Sequence, residues 1–184
     1  MILCGISGSL RKGSFNHSLL EAAKDLAPTG TEIRIFGRLG EIPLYNQDLE
    51  AQGIPEPVAA FKQAIANADG LLIATPEYNY SVPGVLKNAI DWASRPPKGS
   101  PLQGKPVALM GATPGMGGTA RGQSALRQSF VFTQSQVMTG PEFLMARAHE
   151  KFDEQGKLKD EASRKMLASH LENFAVWVRR LAGS

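Results

Sequence analysis

Residues 1–16 read MILCGISGSLRKGSFN: an apolar run, a loop of small and basic residues, and the opening of an amphipathic stretch. Met1 to Ser7 is short and almost continuously apolar, the pattern of a strand covered on both faces. Phe15 to Leu26 then places Leu19, Leu20, Ala23 and Leu26 at helical spacing, and Pro28–Thr29–Gly30 stops it. A buried strand feeding a helix through a short glycine-bearing loop predicts a parallel sheet with helices on its faces.

The rest of the chain repeats that alternation. Glu32 to Phe36 alternates as a strand, and Gly37 to Pro57, rich in Gly, Pro and Asn, is expected to be an irregular connection. Pro57 to Ala68 returns to helical spacing through Val58, Phe61, Ile65 and Ala68. Gly70 to Thr75 (GLLIAT) is the cleanest buried strand; Pro76 to Val82 is a loop, and Pro83 suits the first turn of a helix to about Ser94. Lys105 to Ala112 is a fourth strand, Thr113 to Gly118 a glycine-rich loop, and Thr119 to Phe132 a helix. Gln136 to Phe143 holds a short fifth strand broken at Gly140–Pro141. Asp160 to Leu181 is an amphipathic helix with Met166, Leu167, Leu171, Phe174, Trp177, Val178 and Leu181 on one side. Five strands and five helices in 184 residues predict an α/β, flavodoxin-like three-layer sandwich with a five-stranded parallel sheet of order 2-1-3-4-5, one domain over 1–184.

Composition narrows the function classes. A hydrophobic content of 42% and a charged content of 20% are those of a folded globular chain. The single cysteine, Cys4, excludes an intrachain disulfide and a cysteine-based zinc site, and reads as a small buried hydrophobe. No apolar run approaches ~18 residues and no basic leader precedes one, so the expectation is a cytoplasmic chain with no membrane partner. The net charge of +3 is scattered among acids rather than striped, a weak basis for nucleic-acid binding that serves a small anionic ligand equally well; no nucleic-acid partner is expected.

In such a sheet ligands bind outside the carboxyl ends of the strands, where three loops emerge. The first, Gly8 to Asn16, combines glycines at 8 and 13, hydroxyls at Ser9 and Ser14, Asn16, the Arg11 guanidinium and a helix N-terminus, all devices for holding phosphate. An ordinary strand–helix turn needs one capping residue, not four polar ones. Gly8 and Gly13 match the spacing of a P-loop, but Ser14 stands where lysine is required, and no acid ends the Leu71–Thr75 strand to hold magnesium. Nucleotide hydrolysis is therefore excluded and a monophosphate favoured.

The second loop, Pro76-Glu77-Tyr78-Asn79-Tyr80-Ser81-Val82-Pro83-Gly84, offers two tyrosines to a flat ring, with Asn79 and the backbone for its polar edge and prolines to stiffen it. The third, Thr113 to Gly118, contains Gly115-x-Gly117-x-x-Ala120, a loose dinucleotide fingerprint with no acid about 20 residues on; it reads as a wall of the ring pocket. His17, His149 and His170 lie too far apart for a metal site and are assigned surface or capping roles. Asp91 and Trp92 read as helix surface and core, and 151–165 as a solvated loop and helix face.

Gly8-Ser9-Leu10-Arg11 with Ser14-Phe15-Asn16, then Pro76-Glu77-Tyr78-Asn79 and its continuation from Ser81 to Trp92, resemble the NADPH-dependent FMN reductase family, which includes quinone, chromate and azo-dye reductases. The resemblance runs from the first strand to about Phe143. It implies FMN as cofactor, its phosphate on Ser9, Arg11, Ser14, Phe15 (through its amide) and Asn16. It implies a ring held against Pro76, Glu77, Tyr78 and Asn79, chiefly by backbone groups. Thr113 stands where members often carry serine. The implied activity is ping-pong: hydride from NADPH or NADH to bound FMN, then two-electron reduction of a small-molecule acceptor such as a quinone, flavin, azo compound or metal oxyanion. The cofactor carries the chemistry, so no catalytic side chain is assigned. The resemblance also implies a homodimer or homotetramer, with the apolar face of Val85 to Trp92 and the run Phe130 to Phe132 as interface candidates. The alternatives are a non-enzymatic flavodoxin-like electron carrier, against which Arg11 and the basic charge argue, and a nucleotide-binding regulatory module.

Overall fold

The computed structural model describes residues 1–183, and in it the strands are assembled as one parallel sheet. Its strands are β1 (Ile2–Ser7), β2 (Glu32–Phe36), β3 (Gly70–Ala74), β4 (Pro106–Ala112), β5 (Gln136–Val137) and β6 (Phe143–Met145). The order is β2-β1-β3-β4-β5, with β6 pairing β4 as well. The expected fifth strand is thus two short ones. Residues 136–137 pair the start of β4 and residues 143–145 its end, with Gly140–Pro141 between them.

The helices are α1 (Phe15–Asp25), α2 (Gln47–Gln52), α3 (Glu56–Ala66), α4 (Gly84–Ala93), α5 (Ala120–Gln128), α6 (Ala148–Lys151) and α7 (Glu161–Ala182). Side chains alternate between sheet faces with period two. Leu3, Leu72, Ala74 and Met110 pack under α1 and α7 against Leu20, Leu171 and Phe174. Cys4, Ile6, Leu71, Ile73 and Leu109 pack under α3 and α4 against Phe61, Ile65, Leu86 and Trp92. Cys4 is one of these core residues, and burial pushes its thiol up to about 12.

Several sequence expectations need correction. The stretch expected to be irregular from Gly37 contains a 3-10 turn at Leu39–Glu41 and the helix α2, which Asn46 caps by accepting from the Asp48 N–H at 2.8 Å. Pro83 occupies the N-cap position of α4 rather than its first turn. Helix α5 ends at Gln128, short of Phe132. The tighter turns that follow bury Phe130 while Val131 and Phe132 stay 68% and 71% exposed. Met166 lies off the packed stripe of α7. The segment assigned to solvent from Lys151 is anchored by Phe152 and Leu158, both in the core, with Phe152 stacked on Phe15 at 5.6 Å. The α4 face that stood as an interface candidate is spent inside the chain, because Leu86, Ala89, Ile90 and Trp92 belong to its own core.

His170 is a core residue rather than a surface one. Its ring packs 5.7 Å from Phe143, Nδ1 lies 3.2 Å from the Pro141 carbonyl oxygen and so carries the proton, and the buried Nε2 has no hydrogen-bond partner among the described residues. Burial, opposed by the Pro141 contact, lowers its pKa to about 4. The folded state therefore excludes a proton that the unfolded chain accepts near pH 6.5. Stability is full above that pH and is lost as pH falls toward 4, by about 1.4 kcal/mol per pH unit across the window. Urea denaturation from pH 7 to 4 should show this slope, and His170→Phe should flatten it. An unchanged slope in the variant would assign the acid sensitivity elsewhere.

Candidate cofactor site

Three strand exits are tied to their neighbours, and this places the loops side by side. Gly8 N–H donates to the Ala74 carbonyl at 2.8 Å, Thr75 N–H to Met110 at 2.9 Å, and Thr113 N–H to Met145 at 2.9 Å. Gly111 lets the third exit approach: a Cβ there would overlap the Thr119 hydroxyl and lie 2.7 Å from the Thr75 carbonyl oxygen.

A cleft of about 420 Å³ opens between the loops, lined by Ser9, Arg11, Ser14, Phe15, Asn16, Pro76, Glu77, Tyr78, Ala112, Thr113 and Pro114. Nine of the ten residues expected from sequence line it; Asn79 does not. Ala112 and Pro114 were not assigned, although their place beside Thr113 was the signal for them.

The N-terminus of α1 lies at one end of the cleft. Ser14 is the N-cap, its hydroxyl oxygen accepting from His17 N–H at 3.5 Å, which leaves the hydroxyl proton to donate to a ligand. The N–H groups of Phe15 and Asn16 lie in the first turn and have no intrahelical partner. That turn holds no acid, so the positive end of the helix dipole is left for an external anion. Arg11 is exposed, with its guanidinium 5.7 Å from the Phe15 ring centre and Nη1 donating to the Lys12 carbonyl at 3.2 Å.

Asn16 has a different role from the one expected of its side chain. Its carboxamide is buried and fully used, Nδ2 donating to the Ala112 carbonyl and Oδ1 accepting from the Ala112 N–H, both at 3.0 Å. Its backbone N–H, in the first turn of α1, is the group left to meet an external acceptor.

The second loop is a two-residue hairpin turn closed by Tyr78 and Ser81, with N–H···O distances of 3.2 and 3.0 Å. Asn79 and Tyr80 both take positive φ, 51° and 64°, the backbone such a turn demands. This turns Asn79 out of the cleft and separates the two tyrosines. Tyr78 lines the cleft, whereas Tyr80 lies under Arg121, 4.1 Å from its ring centre.

Glu77 ties this loop to α5. One carboxylate oxygen accepts from the N–H groups of Arg121 at 2.9 Å and Gly122 at 3.0 Å, capping the helix from outside, and Arg121 adds an ion pair at 3.5 Å. The acid at the cleft wall thus has its charge balanced by α5.

The residues present fit a flavin mononucleotide. The cleft volume is that of a small-ligand site. One end collects two hydroxyls, two first-turn N–H groups and a guanidinium for a phosphate, and the other offers Pro76, Tyr78 and Thr113 to a ring. Among the described residues, no group of three or more His, Cys, Asp or Glu could hold a metal ion, and no helix is long and apolar enough to cross a membrane.

Comparison with known proteins points to the same cofactor class. The NADPH-dependent FMN reductase family matches residues 1–150. An NAD(P)H-dependent FMN reductase of Pseudomonas aeruginosa is 50% identical, over 97% of this chain and 96% of its own. A 2-hydroxy-1,4-benzoquinone reductase of a Burkholderia species is 45% identical, over 95% of this chain and 94% of its own. Among solved structures, the flavoenzyme NAD(P)H:(acceptor) oxidoreductase FerB of Paracoccus denitrificans superposes with a TM-score of 0.89 at 37% identity, covering 97% of each chain.

The Glu77 clamp predicts a specific pair of outcomes. Glu77→Ala strands two helix N–H groups and should weaken FMN binding about tenfold, a cost in the range of one unmade charged hydrogen bond. Glu77→Gln keeps a single oxygen able to accept both N–H groups and should bind FMN almost as wild type. Fluorescence titration with FMN measures both, and equal losses in the two variants would refute a role through those N–H groups.

Proposed function

The chain belongs to the NADPH-dependent FMN reductase family, and from that premise we propose that residues 1–184 form one FMN-binding domain that uses NAD(P)H to reduce quinones by a ping-pong cycle. The observation that carries this reading is the convergence of Ser9, Arg11, Ser14, Phe15, Pro76, Tyr78 and Thr113 on one cleft. Bound FMN would supply the redox chemistry, accepting a hydride from the nicotinamide and returning two electrons to the acceptor.

The chain's own part is to bind and orient. Ser9 and Ser14 donate hydroxyl protons to the phosphate, the Phe15 and Asn16 N–H groups add the helix terminus, and Arg11 balances the charge from the solvent side. Pro76 to Tyr78 present backbone groups to the ring edge that becomes negative on reduction, and Glu77, neutralised by α5, adds no opposing charge there. Tyr78 and Pro114 line the cleft and are exposed, so nicotinamide and acceptor would use that accessible side in turn.

A quinone acceptor is supported by the benzoquinone reductase among the relatives. Free flavins, azo compounds and metal oxyanions such as chromate suit the same open face. A homodimer or homotetramer would cover Val131 and Phe132, two adjacent exposed apolar side chains in the turns after α5. A cytoplasmic location would give access to the nicotinamide co-substrate.

The purified protein should be yellow, and anaerobic NADPH should bleach it. A sample that stays yellow supports an electron carrier instead, and one that takes up no FMN sinks both readings. Arg11→Ala should weaken FMN binding about tenfold at low salt, with the gap narrowing as ionic strength rises. Full FMN affinity in that variant would remove Arg11 from the phosphate site.

A further inference from the structure

We propose that Arg147 and the shelf of Gly115 to Gly117 form the seat for the adenosine 2′-phosphate of NADPH; this inference rests on the flavin reductase reading above. Thr113 and Pro114 line the cleft, and the loop then runs outward through Gly115, Met116 and Gly117, all exposed. Neither Gly115 nor Gly117 takes the left-handed backbone that would call for glycine. A Cβ on Gly117 would meet no protein atom within 4 Å, and one on Gly115 only the Thr113 hydroxyl at 3.8 Å. The fold itself therefore places no demand for glycine at either position. What their missing side chains leave is open backbone beside the cleft mouth, which suits the close approach of a dinucleotide.

Arg147 stands against the outer side of this shelf. Its N–H donates to the Gly115 carbonyl at 3.2 Å, and its Nε lies 3.3 Å from the Met116 sulfur. The residue is held in left-handed backbone, φ 50° and ψ 45°, a conformation that is costly for arginine and that the neighbouring Ala148 N–H to Thr113 carbonyl bond, 2.9 Å, helps impose. Among the described residues Arg147 has no ion pair, and the nearby Glu150 carboxylate lies 3.6 Å from the His149 ring nitrogen. The other arginine near the mouth, Arg121, is already engaged by Glu77 and the Tyr80 ring.

Electrostatics selects this rim over the opposite one. Arg11 and the α1 terminus would be occupied by the FMN phosphate, and a second phosphate there would be repelled. A nicotinamide seated in the cleft with its adenosine half lying over the third loop brings the 2′-phosphate to an unpaired guanidinium. Arginine provides the planar fork that recognises such a group.

Calorimetric titration of the FMN-loaded protein with adenosine 2′,5′-bisphosphate and with 5′-AMP separates this contact from catalysis. Wild type should bind the bisphosphate about tenfold more tightly, as one charge-assisted contact allows. Arg147→Ala should erase that preference while leaving 5′-AMP binding unchanged, and should lower kcat/KM for NADPH but not for NADH. Gly117→Val, which has room in the fold, should weaken both nucleotides while the visible flavin spectrum reports intact FMN binding. A wild type without the preference, or an Arg147→Ala variant that keeps it, overturns the inference while leaving the flavin reading in place. A protein that takes up no FMN overturns both.

Discussion

The Asn16 carboxamide donates to and accepts from the backbone of Ala112 across a separation of 96 residues, and the geometry of the cleft depends on that pair. Asn16 sits in the first turn of α1, and Ala112 is the last residue of β4. Joining them sets the distance between the phosphate end of the cleft and the loop that walls its ring end. Both bonds are buried, so losing one would strand a backbone group without water to replace it. The constraint also explains why the helix can offer its own N–H groups outward, since the side chain that would compete for them is occupied.

A second division of labour concerns charge. The cleft contains one acid, Glu77, and its oxygen faces the N–H groups that open α5 rather than a ligand. The opposite end of the cleft has a bare helix dipole, two hydroxyls and Arg11, groups whose chemistry suits an anion. The acid clamps its loop to the first turn of α5.

Periodicity made most of the scaffold legible. Residues 70–75 and 105–112 read as strands because apolar runs bounded by glycine, proline or lysine leave no helical stripe, and α1 and α7 read as helices from their spaced leucines and aromatics. Asn46 as a helix cap inside a Pro- and Gly-rich stretch was not legible, because a six-residue helix carries too little pattern to stand above its surroundings. Nor was the anchoring of Phe152 and Leu158: two apolar residues among charges look like surface until a helix such as α1 is placed over them. His170 misled for a related reason, since a lone histidine on a helix face gives no sign of whether that face is covered.

At the site, the sequence by itself determined most of the residues that gather and the class of ligand they suit. Strand exits in a parallel sheet must share an edge, and the missing P-loop lysine restricts the phosphate chemistry. Only the tertiary structure decided what each side chain does once there. Asn16 and Glu77 look like ligand contacts because their chemistry allows it, yet buried backbone groups at Ala112, Arg121 and Gly122 claim them first. Tyr80 looks like the partner of Tyr78, but positive φ at Asn79 and Tyr80 closes a hairpin that turns the second ring onto Arg121. Residue type states what a group can bond. Which of its partners lies nearest is set by how distant segments pack, and that information is not local in the chain.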